Sequence, residues 1–215
     1  MNNMNVKLSL FYLFLVIAPL PFGCSKSVKE ENKNTSAIPI SYGEKYKVDT
    51  SQSVVTWIGT MVLSPEDHIG YVYLSKGELV IEKGQLVGGT AEIDMNSIEY
   101  GDNESKNTPV RHLKSSDYFD VEKFPISTIA ITKVDSVNGK NIKITGNLTI
   151  KGVTRFITFP AVIEVKDGII KASGKVIIDR TQWGIRYKSG KFYDNLADNA
   201  VSDEVKFNMK IIANK

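Results

Sequence analysis

Two histidines, one cysteine and a scatter of acids and arginines are the groups in this 215-residue chain that could carry chemistry. His68 closes the stretch LSPEDH, and His112 stands in PVRHLKSSD. A transition-metal site needs two or three His, Cys or carboxylate ligands at ligand spacing. Neither histidine has an HxH or HExxH context, and Cys24 lies far away near the start of the chain. No metal site is expected. There is no nucleophile-elbow motif, no glycine-rich phosphate loop and no dinucleotide fingerprint. The acid pairs Glu66-Asp67 and Asp203-Glu204 fall in turns and should face solvent. His112 is expected to hydrogen-bond within its loop, and Asp117 to cap a turn. Asp179-Arg180, followed by Trp183-Gly184, reads as a strand ending in a bulge, with the indole packed over the end of the sheet. Arg180 is the candidate for contact with a phosphate-bearing head group, because guanidinium pairs well with phosphate oxygens. A structural ion pair with a nearby acid is the favoured alternative, and Arg111 and Arg186 are the other arginines to test. The chemistry on offer is binding rather than catalysis.

The elements that would position these residues are strands. In NIKITGNLTI, Ile142, Ile144, Leu148 and Ile150 share one face with Gly146, while lysine, threonine and asparagine occupy the other. Period 2 with one apolar face is a half-buried β-strand. After Lys151-Gly152 the alternation resumes from Val153 to Ile163, which makes an antiparallel hairpin. The same reading gives strands near 54–58, 71–74, 78–81, 90–98 and 126–135, with Gly77, Lys83-Gly84 and Asn138-Gly139 as turn signals. The 78–81 run can also continue the 71–74 run past a bulge. Further inward faces are Ala91, Ile93, Met95 and Ser97; Ile170, Ala172, Gly174, Val176 and Ile178; and Val205, Phe207, Met209 and Ile211. The faces of the strands at 54–58 and 126–132 stay open, since both sides carry apolar residues. Residues 101–120 lack alternation and hold the one expected helix. About eight strands with short links and no βαβ crossover predict an all-β, eight-stranded antiparallel barrel with one short helical insertion. At eight strands the interior holds either packed side chains or one small ligand. Gly146 and Gly174, both inward, signal either space or a sharp bend.

The amino terminus has a separate logic. An early Lys7 precedes the apolar run LSLFYLFLVIAPLPFG, too short for a comfortable membrane span, so residues 1–23 read as a secretory signal peptide. Cys24 follows Gly23 directly, in an arrangement that resembles the lipobox of a bacterial lipoprotein, with Cys24 as the lipidated residue. An ordinary signal peptide that leaves a free thiol is the alternative. Polar residues up to about 44 read as a tether, and 45–215 as the folded domain. The formal charge of +3, with both signs interspersed, gives no footprint for nucleic acid. Hydrophobic residues at 42% are enough to bury a core.

Several stretches in register carry a resemblance. YKVDTSQSVVTWIG, His68-Ile69-Gly70, HLKSSDYFDVEKFP, ITGNLTIKGVTRFITFPA and IDRTQWGIRYKSGKFYDN resemble the YceI-like, polyisoprenoid-binding family, from about Tyr46 onward. The resemblance implies a lipocalin-like barrel whose long apolar tunnel holds an isoprenoid or similar amphiphile, and export to the periplasm. It implies that Ile93, Met95, Ile142, Ile144 and Leu148, together with Ile150, Val176, Ile178, Phe207 and Met209, line that tunnel. The expected partners are a lipid ligand such as a quinone or polyprenyl phosphate, and a membrane reached through Cys24. No cofactor is expected beyond the bound lipid. Each buried methylene contributes about 0.8 kcal/mol, so binding requires no polar machinery. A filled barrel that contacts other envelope proteins through its loops is the competing expectation.

Overall fold

Alternating apolar and polar residues, punctuated by tight turns, can satisfy their backbone only by pairing each run with the next. In the computed structural model, which describes residues 43–63, 67–101, 107–196 and 199–215, this produces a single antiparallel sheet. Its strands are β1 (Glu44–Val48), β2 (Val54–Met61), β3 (Asp67–Glu82), β4 (Gln85–Tyr100), β5 (Ile126–Asn138), β6 (Asn141–Ile150), β7 (Val153–Lys166), β8 (Ile169–Asp179) and β9 (Val201–Asn214). One helix, α1 (Asn107–Lys114), precedes β5, and a 3-10 turn (Arg180–Trp183) follows β8. The expected signal peptide, Cys24, most of the tether and Glu66 lie outside the described residues.

Nine segments occupy eight positions. β1 and β2 run in the same direction and both lie between β3 and β9, so they are two halves of one interrupted strand. The interruption is a turn tied by Asp49, whose carboxylate accepts from the backbone and side chains of Ser51 and Gln52. Pairing of β3 with β4 closes the circle into a barrel. The hairpin turns at Lys83-Gly84, Lys151-Gly152 and Asp167-Gly168 have positive φ at both residues, the type I′ geometry that matches strand twist. The turn after β5 departs from expectation. Asn138 pairs with Asn141, so its central residues are Gly139 and Lys140 rather than Asn-Gly.

Gly77 is not a turn either. It lies inside the continuous β3, where a Cβ would stand 2.8 Å from a Val48 methyl carbon, so the glycine makes room for β1. A bulge removes Ser97 from the inward face of β4: Tyr71 pairs with Glu99, but Tyr73 already pairs with Asp94. Ser97 Oγ repairs the ladder, accepting from Tyr73 N at 2.9 Å and donating to the Asp94 carbonyl at 2.6 Å. Beyond the bulge Ile98 takes the buried place. The face of β2 left open by its sequence is settled by Val55 and Trp57, which are buried.

The barrel wall is incompletely laddered at one end. β4 pairs with β5 only as far as Asp94–Ile126, and α1 packs beside the remainder of β4. β7 pairs with β8 only from Ala161–Gly174 to Lys166–Ile169, which leaves Val153–Pro160 and Lys175–Asp179 without ladder bonds to each other. The 3-10 turn sits at this seam. Trp183, 2% exposed, reaches across it and donates from Nε1 to the Leu148 carbonyl at 3.2 Å. The expected bulge after Asp179 is therefore a capped turn, in which Asp179 Oδ1 accepts from Thr181 N at 2.9 Å.

Candidate functional site

The inward side chains do not meet along the whole axis. A cavity of about 460 Å³ lies beneath α1 and the 3-10 turn, and a smaller one of about 110 Å³ lies deeper in the barrel. Val55, Ile93, Ile129 and Met209 line both, so these four form a waist between two chambers of one bore. The larger volume falls within the roughly 300–1,000 Å³ of ordinary ligand sites. Its wall is apolar because strand alternation delivers every second side chain inward. Of the residues expected to line a tunnel, Ile93, Met95, Leu148, Ile150, Val176, Ile178, Phe207 and Met209 line the wide chamber, and Ile144 lines the narrow one. Ile142 lines neither. It is buried in the core further along β6, where side chains close the barrel.

The two inward glycines have different roles. Gly174 lines the narrow chamber, and a Cβ there would stand 3.1 Å from Met209 Cε. At Gly146 a Cβ would stand 2.7 Å from the Ala130 carbonyl oxygen, so that glycine permits close approach of β5. One makes space and the other allows a bend.

Polar and aromatic groups gather near the mouth. His112 in α1 is flanked by Tyr118 and Tyr187, with ring centroids 5.3 and 4.2 Å away. Burial raises the Tyr118 phenol above its usual pKa, with the nearby Arg180 charge opposing. Arg180 is itself 2% exposed. Its Nε, Nη1 and Nη2 donate to the carbonyls of Ser202, Ile185 and Val201 at 2.9, 2.9 and 3.1 Å. Asp203 Oδ1 stands 3.4 Å from Nη2, and Lys191 bridges Asp203 and Asp179 at 3.3 and 2.7 Å. The Asp179 carboxyl feels burial pushing its pKa up, but bonds from Lys191 and Thr181 together hold it below the ordinary value. Two acids and two bases balance here. The guanidinium thus ties the start of β9 to the 3-10 turn, the structural role favoured from sequence. Arg186 stacks over Phe192 at 4.6 Å, and Arg111 is exposed on α1.

On the facing wall, Trp57 pairs across strands with Gly70 and packs edge-on against Tyr100 at 5.9 Å. His68 Nδ1 lies 2.8 Å from the Tyr100 hydroxyl. Three expectations need correction. His112 Nε2 is buried with no hydrogen-bond partner among the described residues, because its ring sits among tyrosine rings rather than loop carbonyls. Asp117 is exposed, and the turn there is closed instead by Ser115, which accepts from Tyr118 N at 3.1 Å and donates from Oγ to His112 O at 2.7 Å. Asp203 belongs to β9 and is ion-paired, not solvated. Sequence reasoning missed Val55, Trp57 and Ile129 as wall residues, because their strands are apolar on both faces. Tyr118 and Tyr187 were missed because they lie in non-periodic segments. Among the described residues, no cluster of three or more His, Cys, Asp or Glu is placed to hold a metal ion.

An up-and-down antiparallel barrel of eight positions around an apolar, two-chambered bore defines the lipocalin-like class. The sequence matches the YceI-like domain over residues 46–213, and the chain belongs to that family. Among solved structures, Burkholderia cenocepacia BcnA superposes with a TM-score of 0.63 at 21% identity, over 77% of this chain and 99% of that one. A polyisoprenoid binding domain from Saccharophagus degradans gives 0.57 at 12% identity, over 79% of this chain and 97% of that one. These likenesses concern the fold. A UPF0312 protein of an Enterobacter species is 30% identical over 100 residues, 44% of this chain and 50% of that protein. The chain thus spans about half the length of the curated relatives it matches.

Proposed function

We propose that this chain is an exported lipid-binding protein that holds a polyisoprenoid or similar amphiphile in the bore, for carriage, storage or sequestration. The observation that carries the reading is the void itself: a domain with this much apolar wall encloses about 460 Å³ that its own side chains do not fill. Protein interiors are otherwise close-packed, and empty volume forfeits dispersion contacts that an apolar guest restores. The polyisoprenoid binding domain of Saccharophagus degradans, which shares the fold, supports the same ligand class. Binding needs no catalytic group. The competing picture of a filled barrel that acts through loops 101–120 and 186–200 calls for a packed interior, which the two chambers argue against.

Residues 1–23 then direct export and Cys24 anchors the domain to a membrane through a lipid, with 24–44 as tether. Purification from the native envelope, organic extraction and mass spectrometry test the reading. A stoichiometric isoprenoid is the expected result. Repeated recovery of none, with no uptake of added isoprenoid, would reject it.

A further inference from the structure

The outer face of the barrel beside the β7–β8 seam carries a pattern that the bore does not use. Phe156 on β7 and Ile177 on β8 stand on the two banks of the seam, 67% and 60% exposed. Each alternates with residues that line the wide chamber, Ile157 in one strand and Val176 and Ile178 in the other, so each points away from the bore. Cross-strand register extends the row: Ile177 pairs with Lys206, Lys206 with Ile58, and Ile58 with Ile69, which is exposed as well. Single exposed apolar residues are ordinary, but a row shared by neighbouring strands marks an interaction surface.

The charges around this row select the partner. Lys175, Lys206 and Lys210 alternate with the inward Val176, Phe207 and Met209, so they share the outer face, and all three are exposed. None of the three makes an ion pair with a described residue. By contrast, Lys45 on β1 and Lys76 on β3 hold Glu78 and Glu92 at 2.9 and 3.0 Å. The acids that border the face are Glu164 on β7, and Asp179 opposite Glu204 in the β8–β9 ladder. Lys140 holds Glu164 at 2.8 Å and Lys191 holds Asp179 at 2.7 Å, which leaves Glu204 against three lysines. The face is net basic.

We propose that this face docks on a lipid bilayer bearing anionic head groups, with Phe156 and Ile177 entering the interface and Lys175, Lys206 and Lys210 meeting the head groups. Exposed apolar side chains bordered by lysines bind such a surface through apolar burial together with attraction of the charges. The wall behind the face favours lipid over a protein partner. No ladder bonds join Val153–Pro160 to Lys175–Asp179, so the stretch of chamber wall without a backbone ladder is the one turned toward the bilayer. The proposal concerns the outer surface and stands or falls separately from the reading of the bore.

The test uses the full-length chain with Cys24→Ala and one new cysteine, either Ile177→Cys or Glu92→Cys, that carries an environment-sensitive fluorophore. Glu92 lies on β4, across the barrel from β8, and any effect of residues 1–23 on partitioning is common to both labels. On adding phosphatidylcholine vesicles with about 30% phosphatidylglycerol, the label at 177 should brighten and shift to the blue, and the label at 92 should not. Each lysine near an anionic surface contributes about fivefold to binding. The lipid concentration that gives half of the 177 response should therefore rise at least about tenfold when Lys175→Gln, Lys206→Gln and Lys210→Gln are combined. It should rise similarly in about 0.5 M salt. The combined variant should keep the full farnesol-dependent rise in Tm, since none of the three lysines lines the bore. No response at 177, an equal response at 92, or the same response on pure phosphatidylcholine would overturn the docking face. A 177 signal that follows protein concentration without vesicles would overturn it too, in favour of a second copy of the chain. Loss of the farnesol effect in wild type would count against the bore and not against this face.

Discussion

Blocking the bore without unfolding the barrel separates a ligand site from a merely loose core. Val176 on β8 suits this: it is 5% exposed, opposes Phe207 across the ladder and lines the wide chamber. At about 30 Å³ for a water-sized group, the 460 Å³ chamber admits roughly fifteen such groups, the size of a farnesyl chain. Burying fifteen carbons contributes about 12 kcal/mol at 0.8 for each. Lost freedom on association costs at least about 4, which leaves about 8 kcal/mol and a Kd near 1 μM. At 100 μM farnesol the native state then gains about 2.7 kcal/mol, a rise in Tm of roughly 5–10 °C for a domain of this size. Val176→Trp projects an indole into the void, so its own stability should change by no more than about 1–3 kcal/mol. Its farnesol-dependent rise in Tm should fall below about 2 °C. The assay is thermal unfolding followed by circular dichroism with and without ligand. A variant that keeps the full wild-type shift would refute the reasoning, because the ligand would then lie outside the bore.

Three further perturbations probe the parts that build the site. Trp183→Ala should cost about 3–5 kcal/mol in denaturant unfolding, because it empties the β7–β8 seam and removes the indole's bond to the Leu148 carbonyl; a loss under about 1 kcal/mol would show the seam closes by other means. Asp179 has a depressed pKa when folded, so its contribution is present above the ordinary carboxylate value of 3.8 and is lost as pH falls below it. Wild-type Tm should therefore drop more steeply than that of Asp179→Asn between about pH 5 and pH 3, and parallel curves would remove Asp179 from the account. Cys24→Ala should move the protein from the membrane pellet to the soluble fraction, and unchanged fractionation would reject the lipid anchor.

The sequence by itself determined the strands and most of their inward faces, because a period of 2 maps each side chain onto one side of a sheet whatever its partner is. It therefore found Leu148, Ile150, Val176, Ile178, Phe207 and Met209 on the wall of the wide chamber. It also supplied the Lys83-Gly84 and Lys151-Gly152 turns, since positive φ at both turn residues selects glycine locally. Tertiary structure alone decided where alternation slips, as at Ser97, because a bulge is set by the neighbouring strand and not by the run that contains it. It alone decided that Ile142 belongs to the closed end and Ile144 to the narrow chamber, since depth along a bore depends on register around the whole barrel. Trp57 and His112, far apart in the chain, share a chamber only once β2 and α1 are in place. No local pattern records that Trp57 Nε1 and His112 Nε2 will be buried with no partner among the described residues: their isolation belongs to the assembled fold.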